Sequence, residues 1–195
     1  MASETRDRIV DSARQLFWEQ GFESTTLAQI AERSEAMPGS IYYFFKTKDA
    51  ILHAVIDHYD EQLGAWLIDP VFGRTDDPVE RIFGVIDTYR SFLVETHFTL
   101  GCPVGGLALE LGGESADARA KVSKIFDDLT SAMESCAREI AARTSTAGPS
   151  PEALAALCLT VIEGGIVQAR ALQSIEPFDR SVTCLRDYVD RLLAD

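Results

Sequence analysis

The stretch Thr26-Leu-Ala-Gln-Ile-Ala-Glu-Arg-Ser-Glu-Ala-Met-Pro-Gly-Ser-Ile-Tyr-Tyr-Phe-Phe-Lys-Thr-Lys48 most restricts what this 195-residue chain can become. Thr26 and Gln29 have the spacing of a capping box, so a helix can begin there. Leu27, Ile30 and Ala31 then fall on one helical face. The pattern breaks over Ser34-Glu35-Ala36. It resumes at Pro38, a residue tolerated in the first helical position, where its missing N–H costs nothing. Ile41, Phe44 and Phe45 supply the apolar side of the second helix, which leaves Gly39, Ser40, Tyr42 and Tyr43 on the other. Two short helices across a three- to four-residue turn make a helix-turn-helix, here over about residues 26–45, whose second helix can enter a DNA major groove.

A helix over residues 3–20 precedes the motif, with Ile9, Ala13, Leu16 and Phe17 as its inner face. Gly21 suits its left-handed C-cap, and Phe22 can fold back on it. A long helix follows from Thr47 to about Asp69, ending before Pro70 and long enough to link two domains. Further helical patterns cover about 77–95, 103–112, 115–143 and 150–175. Glu176-Pro177 breaks the chain before a last helix capped by Asp179. Residues 144–150 read as a polar connector. The expectation is an all-α protein of about nine helices. Residues 1–50 are expected to form a three-helix DNA-binding domain, and 51–195 a second helical domain.

The segments Thr5-Arg-Asp-Arg-Ile-Val-Asp-Ser-Ala-Arg-Gln-Leu-Phe, Gly21-Phe, Ile30-Ala31, Gly39-Ser-Ile-Tyr-Tyr and Phe44-Phe-Lys-Thr-Lys48 together resemble the N-terminal domain of TetR-like transcriptional repressors. Gly101-Cys-Pro-Val-Gly-Gly-Leu-Ala-Leu-Glu110 and Ile162-Glu-Gly-Gly resemble the LmrA/YxaF-type effector domains of that family. The resemblance implies an all-helical homodimer whose C-terminal domain binds a small ligand and whose long fourth helix couples that ligand to DNA. It also implies that Tyr42 and Lys48 hold the DNA backbone. Three positions depart from the family pattern: Glu35 stands where the turn usually has glycine, Met37 where the recognition helix usually has a Ser or Thr cap, and Pro38 at an often basic position. A missing side-chain cap costs about 1 kcal/mol, and a non-glycine residue at φ > 0 is strained.

The net charge of −13 argues against a nucleic-acid partner until its distribution is considered. Residues 1–50 hold six Lys/Arg and eight Asp/Glu, a net of −2; the remaining −11 lies in 51–195. Few basic groups imply modest non-specific affinity and a shallow salt dependence. Candidate DNA-contact residues are Thr26, Gln29, Met37, Gly39, Ser40, Tyr42, Tyr43 and Lys48. The second helix offers no Arg, Asn or Gln for bidentate base reading, so sequence preference rests on van der Waals contact and DNA shape.

For an apolar or aromatic effector the candidates are Trp66, Phe92, Phe98, Cys102, Phe126, Met133 and Glu163, since such pockets combine apolar walls with few polar groups. His97, Glu110 and Gln168 are further polar candidates. Gly164-Gly165 makes room either for a ligand or for close packing across a dimer. Cys102 precedes Pro103 and is either a structural turn residue or a thiol sensor; Cys136, Cys158 and Cys184 read as buried free thiols. The four cysteines are too far apart for a zinc or redox pair.

No metal, cofactor or catalytic motif is legible, and a helical-bundle enzyme is the weakest alternative. A helical ligand-binding or interaction protein without specific DNA binding is the other alternative, motivated by Glu35, Met37 and Pro38. No run of 18 apolar residues and no apolar leader is read, so the chain is expected in the cytoplasm, away from membranes. The expected partners are a palindromic double-stranded operator, a small-molecule effector and a second copy joined through the two C-terminal helices.

Overall fold

The computed structural model describes residues 2–112, 115–144 and 148–194; Gly113 and the middle of the 144–150 connector lie outside them. Every regular element among the described residues is helical. The helices are α1 (Ala2–Gln20), α2 (Leu27–Arg33), α3 (Pro38–Phe44), α4 (Lys48–Leu63), a π-helical turn (Gly64–Ile68), α5 (Asp69–Phe72), α6 (Pro78–Glu95), α7 (Pro103–Glu110), α8 (Ala116–Ala141), α9 (Pro151–Leu172) and α10 (Glu176–Leu193). With 48–72 counted as one continuous run, these are the nine helices expected.

Residues fall into two compact units. The first joins Met1–Gln62 with Pro103–Ile125, and the second joins Leu63–Cys102 with Phe126–Asp195. This division differs from a boundary at residue 50, because α4 is part of the first unit's core: Ile51, Leu52, Val55 and Ile56 are all buried. They join Ile9, Ala13, Leu16 and Phe17 of α1, Ile30 of α2 and Ile41 of α3. Gly21 takes φ 92, and the Phe22 ring meets Phe17 edge-on at 5.2 Å, as the C-cap reading requires.

In the second unit α9 packs on α10 and α6. Its core contains Phe83 and Ile86 of α6, Leu129 and Met133 of α8, Cys158 and Ile162 of α9, and Phe178 of α10. Gly165 of α9 lets the Phe178 ring approach, so close packing inside one chain accounts for half of the Gly-Gly pair. The Asp77 carboxylate caps α6 on the amides of Val79 and Glu80 and pairs with Arg143 at 2.8 Å. The Arg143 guanidinium is the main reason its carboxyl lies below the usual range.

Three local readings need correction. The helix from α4 does not stop before Pro70 but runs on to Phe72. Pro70 lacks an N–H and its ring would crowd the carbonyl of Trp66 four residues back; the wider π-helical turn over 64–68 accommodates it. The last helix begins at Glu176, with Pro177 in its first turn, where proline is tolerated. Asp179 therefore is not a cap; it holds Arg90 through two bonds of 2.7 Å. Cys184 is exposed, because the buried face of α10 is Phe178, Leu185 and Val189 and Cys184 falls off it.

Candidate nucleic-acid interface

The first unit presents α2 and α3 from a fixed base. Thr26 and Gln29 form the reciprocal cap: the Gln29 amide donates to the Thr26 hydroxyl at 3.2 Å, and the Thr26 amide donates to Gln29 Oε1 at 2.8 Å. The Ser34 hydroxyl donates back to the Ile30 carbonyl at 2.6 Å and closes α2. The turn then passes through Glu35 at φ 51, the left-handed conformation that favours glycine. Met37 enters α3 with extended backbone and no side-chain cap bond.

Ile41 and Phe45 anchor α3, while Met37, Tyr42 and Tyr43 stand out at 77%, 54% and 74% exposure. The two tyrosines therefore are not packing residues between the short helices. A Cβ added at Gly39 would meet nothing within 4 Å, so the helix surface there is open to close approach. Ser40 is half-buried beside it.

Lys48 has a different surrounding from the tyrosines. Its ammonium donates to the carbonyls of Phe22, Glu23 and Thr25 at 2.8, 3.2 and 3.1 Å and lies 4.3 Å from the centre of the Phe22 ring. The same loop receives Glu110, whose carboxylate accepts the Phe22 and Glu23 amides at 3.2 and 2.9 Å. Glu110 read as a candidate effector contact in the sequence; in the structure it ends α7 and its carboxylate is bonded to the loop before α2. Nothing in the spacing of residues 22 and 110 announces this, because only the tertiary fold brings them together.

In the second unit, four side chains form a chain of neighbours. Trp66, on the π-helical turn and 47% exposed, meets the Tyr89 ring edge-on at 6.5 Å. The buried Tyr89 hydroxyl and the Glu163 carboxyl both lie beside Cys102. Burial pushes the Tyr89 phenol well above its ordinary value, with Cys102 and Glu163 adding to it. Burial also raises the Glu163 carboxyl, against the opposing effect of Cys102. Glu163 Oε1 is buried without a hydrogen-bond partner.

Of the sequence candidates, Trp66, Cys102 and Glu163 thus come together through Tyr89, which sequence reasoning missed: its place on α6 reads only as core. Met133 is a core side chain at 1% exposure. Phe92, Phe98 and Phe126 are half-buried. His97 and Gln168 are exposed. Burial raises the Cys136 and Cys158 thiols to about 11 and about 12, as inert core thiols require.

Comparison with known proteins decides the family. Residues 9–55 match the bacterial regulatory proteins of the tetR family, and residues 78–183 match the LmrA/YxaF-like transcriptional regulator C-terminal domain. The chain belongs to the TetR family of transcriptional regulators. An uncharacterised HTH-type regulator of Mycobacterium tuberculosis is 30% identical over 89% of this chain and 88% of its own. A TetR regulator structure from Chloroflexus aurantiacus superposes with a TM-score of 0.85 at 25% identity, covering 97% and 96% of the two chains. The regulator CifR, solved with a 26-bp double-strand operator, matches with a TM-score of 0.73 at 26% identity, covering 96% and 94%.

This TetR-family chain is a DNA-binding transcriptional regulator and not an enzyme. Its helix-turn-helix is α2–α3 with the 34–37 turn. Among the described residues, no group of three or more His, Cys, Asp or Glu could hold a metal.

Proposed function

We propose that this regulator is a repressor that binds a palindromic operator as a homodimer and is released by a small apolar or aromatic effector. Residues 1–50 carry DNA binding; residues 51–195 carry the effector and the dimer. The observation that supports this most is the outward-facing set Met37, Tyr42 and Tyr43 on an α3 whose opposite side is locked into the core. Tyrosine hydroxyls reach phosphate, and Met37, Gly39 and Ser40 allow close contact with base edges. Thr26 and Gln29 complete the proposed contact set; Lys48, whose three N–H donors go to the Phe22, Glu23 and Thr25 carbonyls, contributes its positive charge beside the phosphates and not a direct bond to them. CifR with its operator supplies the precedent for DNA recognition by this fold.

The chain Trp66–Tyr89–Cys102–Glu163 offers an aromatic wall with polar groups at its inner end, which suits a small aromatic ligand carrying a hydrogen-bond donor. Phe92, Phe98 and Phe126 extend the apolar candidates. Effector binding shifts the population towards a dimer whose recognition helices no longer match successive major grooves.

The two C-terminal helices supply the dimer face. On α9, Leu157, Val167 and Leu172 are 41%, 58% and 67% exposed, and Tyr188 of α10 is 38% exposed. α9 is also the one helix among the described residues long and apolar enough to cross a membrane, with 39% of its apolar window buried. Covering this face with a second copy explains that apolarity in a DNA-binding protein, for which the cytoplasm is the proposed location. Light scattering at micromolar concentration gives twice the chain mass if the proposal holds; a monomer contradicts it. A mobility shift on DNA upstream of the regulator's own gene, with salt titration, tests the operator.

A further inference from the structure

The loop between α1 and α2 is held by two opposite charges that do not pair with each other. Glu110, the last residue of α7, accepts the amides of Phe22 and Glu23. Lys48, the first residue of α4, donates to the carbonyls of Phe22, Glu23 and Thr25. Each charge thus satisfies one polarity of the same short backbone. Gly21 belongs to the arrangement: a Cβ there would stand 2.9 Å from Glu110 Oε1, and its φ of 92 disfavours a side chain in any case. Beneath the loop, the buried Thr25 hydroxyl donates to the Gly21 carbonyl at 2.7 Å, and Phe22 packs on Phe17. The next residue is Thr26, the cap of α2.

We propose that Glu110 is a positioning residue for operator binding: with Lys48 it clasps residues 22–25 and so fixes where α2, and with it the recognition helix, begins. Charge-assisted bonds to backbone amides are among the stronger ones a carboxylate makes. They act on a segment that would otherwise expose its amides to water. The proposal rests on the operator reading for its effect on DNA, and on the loop geometry alone for its effect on the backbone. Glu110 does not reach DNA in this scheme; it acts through the loop.

The test uses the full chain with Glu110→Ala and the near-isosteric Glu110→Gln, which keeps one acceptor and the side-chain volume. Residue-resolved hydrogen exchange should show the Phe22 and Glu23 amides exchanging at least about tenfold faster in Glu110→Ala, with α9 amides unchanged. Glu110→Gln should show a smaller change of the same sign. Affinity for DNA upstream of the regulator's own gene should fall about three- to tenfold in Glu110→Ala. Its dependence on salt should run parallel to wild type, because no phosphate contact is removed.

Unchanged exchange at Phe22 and Glu23 in both variants would overturn the clasp. Faster exchange with equal or higher affinity would overturn its positioning role, and a flattened salt slope would assign Glu110 an effect on the DNA contacts themselves and overturn it too. If wild type binds no DNA specifically, the operator reading and the positioning role fail together, while the exchange result still decides the clasp.

Discussion

Gly165 of α9 and Phe178 of α10 are packed so closely that a methyl group at Gly165 would stand 2.7 Å from the Phe178 ring, and both residues are buried. Glycine inside a helix costs about 1 kcal/mol against alanine, so the sequence accepts a local cost in exchange for helix contact. At Gly164, one residue earlier, an added Cβ meets nothing within 4 Å.

The two glycines therefore respond oppositely. Gly165→Ala should destabilise by about 1–3 kcal/mol, the usual range for overpacking. Gly164→Ala should leave the chain's own packing intact and recover up to about 1 kcal/mol of helix propensity. Denaturant midpoints of the two variants check this; equal shifts of the same sign would refute it.

The entry to the recognition helix carries two removable costs. Glu35 holds φ 51, and Met37 has cap-like backbone but no capping side chain. Glu35→Gly and Met37→Ser should each raise stability by about 1 kcal/mol, or about 2–4 °C in Tm for a chain of this size. Met37→Ser should also tighten operator binding if the cap limits the order of α3. An unchanged affinity would show that Pro38 in the first turn already supplies enough order.

Much of this was legible from residue types alone. Thr26-x-x-Gln29 specifies a reciprocal cap, Gly21 a left-handed helix end, and Ile41 with Phe45 the inner side of α3; all are local relations within one turn or two. Positive φ at Glu35 was legible only through the family resemblance, because the family's turn usually has glycine where this chain has Glu35. What escaped depends on distant residues. Glu110 meets Phe22 and Glu23 across 88 and 87 positions, and Asp179 meets Arg90 across 89. A helix-start pattern near Pro177 could not show that the Asp179 carboxylate is already engaged. Tyr89 has the spacing of a core residue and is one; its ring edge against Trp66 and its hydroxyl beside Cys102 connect it to the effector candidates.

Glu163 gives the second unit a pH-dependent weakness. Burial raises its carboxyl above the ordinary value, so the folded state holds that proton more tightly than the unfolded state does. Stability from this group is therefore lost as pH rises from the unfolded carboxylate range, about 4.3, through the raised folded value, and stays lost above it. Glu163→Gln, neutral throughout, should melt with wild type near pH 4 and above it at pH 7. The gap at pH 7 should correspond to about 1–3 kcal/mol, the cost of a buried unsatisfied polar group. Thermal melts across pH 4–8 check the sign, and a gap independent of pH would contradict it.

The central claim is that α3 reads DNA through its exposed face. Its most direct measurement is fluorescence anisotropy of a labelled duplex from upstream of the regulator's own gene, titrated at low salt with wild type and with Tyr42→Ala and Tyr43→Ala, against an unrelated duplex of equal length. Both tyrosines are exposed, so their removal should leave the fold and the melting temperature nearly unchanged. The account predicts that wild type prefers its own duplex and that each variant loses about tenfold or more of that affinity. Equal affinity for both duplexes, or full affinity in both variants, would contradict it.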